Sequence, residues 1–120
     1  MKTYIAGPMT GLPGFNRPAF FAAAKDIAAA GHVALNPAVL PDGLSEVDYM
    51  CVCIAMLQRA DAIYLLDGWR SSEGARAEFA LAEKLGIEIL FQDMTPLQCL
   101  YTQRRHSRQG KGYEDAKQST

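Results

Sequence analysis

The stretch Ser71–Gly86, SSEGARAEFALAEKLG, places a carboxylate where an apolar side chain belongs. It has a helix start at Ser71 or Ser72 and a helix stop at Gly86. At 100° per residue from Ala75, Leu81, Ala82 and Leu85 fall at about 240°, 340° and 280°, and Glu78 falls among them at about 300°. Glu73, Arg76, Glu83 and Lys84 take the opposite, solvated side. Two readings of Glu78 are open. Ionised, poorly solvated and facing a cleft, it is the nucleophile of a retaining glycosyl transfer, which attacks an anomeric carbon and passes through a covalent sugar ester. Otherwise it is a carboxylate neutralised by a buried arginine, or one that caps a neighbouring loop. The helix dipole favours the ionised form and desolvation opposes it.

Other groups of chemical interest lie in three loops. Ser71, Ser72 and Gly74 open the Glu78 helix, and the free amides of a helix N-terminus favour phosphate or carboxylate. Capping alone would account for one of the serines. Asp67, Trp69 and Arg70 precede them; Trp69, the only tryptophan, either stacks on a nucleobase or covers the end of a sheet. Gly7, Gly11 and Gly14 lie in GPMTGLPG, which matches neither the dinucleotide fingerprint nor a phosphate loop. That loop either brings backbone amides against a ligand or is a plain tight turn. Tyr4, Asp42 and His32 are weaker candidates, and His32 reads as structural. Cys51 and Cys53 point about 200° apart on a helix, which disfavours a shared metal.

The elements that must position these residues alternate along a chain of 120 residues, long enough for one domain with a real core. KTYIAG, HVALN, DAIYLL and IEILF read as strands. Helices are expected from Arg17 to Ala30, capped by Asn16, and from a capping-box-like SEVD at Ser45 to Arg59. The third is the Glu78 helix, and a last short helix starts at Thr95-Pro96. The first helix presents Phe20, Ala23, Ala24, Ile27 and Ala28 inward, and the second Val47, Met50, Ile54 and Leu57. Strand–helix alternation implies an α/β fold, a parallel sheet with helices on both faces. Its ligand site lies beyond the carboxyl ends of the strands, where strand order switches. The domain is read as residues 1–105, with residues 106–120 a polar, flexible tail.

Composition narrows the classes of function. Hydrophobic residues make up 49% and charged residues 21%, which is globular, and no apolar run approaches the roughly 18 residues of a membrane helix. A net charge of -1 gives no general attraction to nucleic acid. MKTYIAGP does not read as a signal peptide, and three cysteines, an odd count, fit a reducing, cytoplasmic setting.

YIAGPMTG, GHVALNP and DAIYLLDGWRSSEGARAEFALAEKLG together resemble the nucleoside 2-deoxyribosyltransferase-like superfamily, nearest to a small phage and bacterial branch. The resemblance covers about residues 3–91. It implies a flavodoxin-like, three-layer α/β/α fold, a homodimer or larger assembly, a nucleoside or nucleotide as ligand, and no cofactor or metal. Relatives exchange bases on 2′-deoxyribosides or hydrolyse the N-glycosidic bond of nucleotides, with a glutamate that matches Glu78. Their first loop, beside the sugar and its 5′ end, matches Gly7, Pro8 and Met9. Ser72, six residues before Glu78, matches a serine that holds the 5′-phosphate in the hydrolases and an aspartate in the transferases. The resemblance for Gly7, Pro8, Met9 and Ser72, with the reading of the residues for Tyr4, Asp67, Trp69 and Gly74, makes these eight the substrate-binding set. One position departs from the pattern: where relatives often carry an aspartate that assists the leaving base, this chain has Cys53. Asp48, Asp61 or Asp67 then does that work, or the base leaves unaided, or the chain binds nucleotides without catalysis.

Overall fold

Near-continuous apolar runs such as Ala62–Leu66 belong inside a parallel sheet, and that is where the structure, a computed structural model describing residues 1–94, puts them. Four strands alternate with three helices: β1 (Lys2–Ala6), α1 (Arg17–Ala29), β2 (Val33–Leu35), α2 (Glu46–Gln58), β3 (Ala62–Leu65), α3 (Glu73–Leu85) and β4 (Glu88–Phe91). The sheet order is β2-β1-β3-β4 and every pairing is parallel. The expected helix at Thr95, the boundary at residue 105 and the tail lie outside the described residues.

Alternation along the strands divides the core in two. Tyr4, Ala6, Ile63 and Leu65 pack with Cys53 and Leu57 of α2 and with Ala75 and Ala82 of α3. Ile5, Ala62, Tyr64, Leu66 and Leu90 pack with Phe20, Ala23 and Ile27 of α1. The helices therefore cover both faces, and the layers are α/β/α, a flavodoxin- or Rossmann-like arrangement. The chain moves from β1 outward to β2, then crosses back to place β3 on the other side of β1. The switch lies between β1 and β3, which are paired up to Ala6 and Leu65. Among the described residues no helix is long and apolar enough to cross a membrane.

Three local expectations change. Asn16 does not cap α1: it sits in the left-handed region at φ 58° and its side chain makes no cap bond. It follows Gly14 and Phe15, which are also left-handed, and its Nδ2 instead donates to the Pro8 carbonyl at 2.9 Å. Ala28 is exposed, so α1 buries a narrower stripe than expected. On α2 the inward face turns toward Cys53 and Leu57, and Val47 is 70% exposed. The start of α2 is as expected: Ser45 Oγ accepts from the Asp48 amide at 3.1 Å, and Asp48 Oδ2 accepts from the Ser45 amide at 3.0 Å.

Candidate active site

The carboxyl ends of β1 and β3 come together because residue 7 is glycine. A Cβ on Gly7 would stand 2.9 Å from Leu66 Cβ, closer than side chains pack. The loops that follow then touch. Gly68 turns at φ +84°, with the Pro8 ring 3.5 Å from where its Cβ would be. Pro8 is held from its other side by the Asn16 amide. Gly7, Pro8 and Met9, expected in the site from their place in the chain, are half-buried at this junction.

The third loop turns into α3 by using both serines. Ser71 Oγ donates to the Gly68 carbonyl at 2.8 Å, and Ser72 Oγ accepts from the Ala75 amide at 3.1 Å as the N-cap. The Ser72 hydroxyl keeps its proton free to donate. The amides of Glu73 and Gly74 have no acceptor among the described residues, as the first turn of a helix requires. A Cβ on Gly74 would meet only Ser72 Oγ, at 4.0 Å, so packing within the chain does not demand glycine there.

Glu78 lies one and a half turns further along α3 and is 9% exposed. Its one hydrogen bond among the described residues comes from Tyr4, whose hydroxyl donates to Glu78 Oε2 at 2.7 Å. Among the described residues neither a buried arginine nor a loop amide neutralises it. Burial pushes its carboxyl up to about 7, and the Tyr4 bond pulls the other way. Near neutral pH the group therefore divides between carboxylate and acid. Burial, and then the neighbouring Glu78 carboxylate, hold the Tyr4 hydroxyl well above its usual range, so Tyr4 remains a donor. The Cys53 thiol packs beside Tyr4 from α2. Burial raises it, the Tyr4 hydroxyl offsets part of that, and Glu78 raises it further. Cys53 is thus a neutral, weakly polar group beside the pair. Tyr4, Glu78 and Cys53 form one chain of contacts that joins β1, α3 and α2.

The remaining sequence candidates do not all lie at the ligand end of the sheet. Trp69 is 8% exposed, with its ring centroid 4.8 Å from Phe79 and 6.1 Å from Phe91, and the Arg70 guanidinium lies 4.7 Å over it. The indole is engaged by its own chain. Asp67 is exposed at the carboxyl end of β3; its amide donates to Gln92 Oε1 at 2.8 Å, and its carboxylate has no partner among the described residues. Asp61 lies at the opposite end of the sheet, where Asp61 Oδ2 accepts from the Lys2 amide at 2.8 Å. Asp48 is committed to the α2 cap. Asp42 pairs with Arg17 at 2.7 Å, and His32 Nδ1 meets the Met1 amino group at 2.9 Å. Of the three aspartates weighed as replacements for the acid at position 53, only Asp67 stands at the ligand end with its carboxylate uncommitted.

Sequence reasoning ranked Tyr4 low. The available signal was strand alternation: a tyrosine in the middle of a buried strand must find a partner for its hydroxyl, and Tyr4 shares its face with the helix that carries Glu78.

The structure is thus a parallel α/β/α sheet domain of flavodoxin- or Rossmann-like type with a buried carboxylate that has one partner among the described residues. The chain belongs to the family described as a domain of unknown function, DUF4406, whose model matches residues 1–91. Comparison with curated proteins and with solved structures returned no match.

Proposed function

We propose that this protein cleaves or exchanges the N-glycosidic bond of a deoxynucleoside or its 5′-monophosphate, with Glu78 as nucleophile. The observation that carries the proposal is the state of Glu78: buried, held by a single donor and raised to about 7. A carboxylate with no structural partner beyond Tyr4 is costly to bury, and a cationic transition state offsets that cost. The resemblance of residues 3–91 to nucleoside 2-deoxyribosyltransferase-like proteins supplies the substrate class.

In this reading a Glu78 oxygen attacks C1′ as the C1′–N bond breaks, and the base leaves with that electron pair. A sugar ester on Glu78 results. Tyr4 holds Oε2, orienting the carboxylate and sharing its charge until the ester forms. The departing base takes up a proton from water, and Asp67 is the one of the three aspartates that lies at that end of the sheet. Water then releases the sugar, or a second base takes it and regenerates the glycosidic bond. Ser72 and the amides of Glu73 and Gly74 receive the 5′ group, and Gly7, Pro8 and Met9 line its approach. The protein acts on a small molecule, and a homodimer or larger assembly is part of the proposal.

A second reading is a nucleotide sensor on the same frame. It is favoured by Cys53, a neutral thiol where relatives carry an acid. One experiment separates the two. The purified protein and its Glu78→Gln variant are incubated with each common deoxynucleoside and 5′-monophosphate, with and without a second free base, and released or exchanged base is resolved by chromatography. Turnover that disappears in the variant supports the enzyme. No turnover, with the same ligands raising the melting temperature, supports the sensor. Neither turnover nor binding overturns both.

A further inference from the structure

The groups around Glu78 offer it no positive charge and offer a ligand no proton. Tyr4 donates to Glu78 Oε2 at 2.7 Å, and the Cys53 thiol packs beside Tyr4. Burial makes both hold their protons more tightly than usual. The same face of the sheet is otherwise apolar, with Ala6, Leu65 and Ala75. Among the described residues no lysine, arginine or histidine pairs with Glu78. The other carboxyls are engaged elsewhere. Asp48 closes the α2 cap, and Asp61 holds the Lys2 amide at the opposite end of the sheet. Asp67 is exposed, and its amide is tied to Gln92 just past β4, outside the buried contact of Tyr4, Glu78 and Cys53.

These two properties select a leaving group. A neutral nucleobase leaves C1′ as an anion unless a proton reaches it, and a missing general acid forfeits about 10²–10⁴-fold in rate. A base whose ring is already quaternised, a pyridinium or an N7-alkylated purine, leaves as a neutral molecule and needs no proton. Its charge also lies within about 4–6 Å of a carboxylate placed to attack C1′, where an opposite charge favours the ionised form. A cationic ligand therefore ionises the nucleophile. A neutral ligand displaces water and favours the unreactive acid.

We propose that the substrate is an N-glycoside of a cationic, ring-quaternised base, for which the buried Glu78 is both counter-ion and nucleophile. The inference rests on the glycosidic reading above and narrows it. A Glu78 oxygen bonds to C1′ as the C1′–N bond breaks. The electron pair of that bond neutralises the ring, and the base departs uncharged. Water oxygen then takes C1′, the ester bond breaks to regenerate the carboxylate, and one proton passes to solvent.

The test compares 2′-deoxyguanosine with 7-methyl-2′-deoxyguanosine, each also as its 5′-monophosphate. The pair differs by one methyl group and one charge. Released base is resolved by chromatography, and spontaneous release without protein is subtracted. The methylated substrate should show a kcat/KM about 10²–10⁴-fold above its parent. Cys53→Asp, which sets an acid beside the pair, should narrow that ratio by about tenfold or more by raising turnover of the parent. Independently of turnover, the cation 1-methylnicotinamide should raise the melting temperature of the wild type more than neutral nicotinamide does, and Glu78→Gln should abolish the difference. Turnover of parent and methylated substrate within about tenfold overturns the inference and leaves the glycosidic reading standing; loss of the parent's turnover in Asp67→Asn would then make Asp67 the acid. An equal response to the cation and to nicotinamide overturns the counter-ion role. A folded Cys53→Asp protein with an undiminished ratio overturns the inference as well, because the ratio then reflects only the lability of the methylated base. Turnover of neither substrate overturns both readings.

Discussion

Replacing Glu78 by glutamine should stabilise the protein at alkaline pH and barely at acid pH. Burial raises the Glu78 carboxyl from 4.5 to about 7, so the folded state holds its proton more tightly than the unfolded chain does. Stability from that proton is fully present below the unfolded value and is lost as pH rises through about 7. The shift corresponds to about 3 kcal/mol of ionisation cost in the folded state once both forms are titrated, at 1.36 kcal/mol per unit. Integrated between pH 5 and pH 8, the cost grows by about 2–3 kcal/mol. Glutamine has the shape of the neutral acid, still accepts from Tyr4 and does not ionise. The difference in unfolding free energy between variant and wild type should therefore grow by about 2–3 kcal/mol from pH 5 to pH 8, on the order of 10 °C in melting temperature. Urea denaturation of both proteins across that range measures it, and the subtraction removes every other titrating group. A difference independent of pH would refute the argument that Glu78 is a desolvated carboxyl with one partner. A variant that becomes less stable as pH rises would mean that the carboxylate has a cationic partner.

Tyr4→Phe should raise the Glu78 carboxyl further, since the hydroxyl it removes favours the carboxylate; any activity that needs the ionised form should then rise at higher pH than in wild type, as a pH–rate profile would record. The same variant should lose about 1 kcal/mol of stability for the hydrogen bond. Gly7→Ala should cost about 1–3 kcal/mol in denaturant melts, because the new Cβ overlaps Leu66 and the paired strand ends must separate. Ser72→Ala should lose about 1 kcal/mol with the α3 cap, and in binding assays it should weaken monophosphates more than nucleosides. Equal weakening of both would count against the 5′-group assignment.

The carboxylate at the heart of the site was legible because α3 is otherwise cleanly amphipathic, so one acid on its apolar stripe stands out. The partner of that acid was not. Tyr4 and Glu78 are 74 residues apart, and pairing them requires knowing that β1 is central and that α3 covers its Tyr4 face. α2 misled for the opposite reason. Apolar on every side, it offers several equivalent stripes, so periodicity chose Val47, Met50, Ile54 and Leu57 while packing turned Cys53 inward. Asn16 failed as a cap because an N-cap needs extended backbone, and the preceding loop ends in a left-handed turn. Strands and the Ser45 and Ser72 starts were readable because each is a local device, a β-rich run or a hydroxyl ahead of an amide. The order of the strands is a long-range property.

That long-range pairing bears on how the chain is made. Tyr4 leaves the ribosome 74 residues ahead of the carboxylate it must hold, about 4–15 s at ordinary synthesis rates. In that interval the edge of β1 that faces β3 is unpaired, for Ala62 and its neighbours have not emerged. A nascent chain that has reached β2 can close α1 against one face but has no Tyr4–Glu78 pair. The Tyr4–Glu78 contact is thus withheld until α3 docks. A domain interrupted before that helix would expose a sticky sheet edge without that contact.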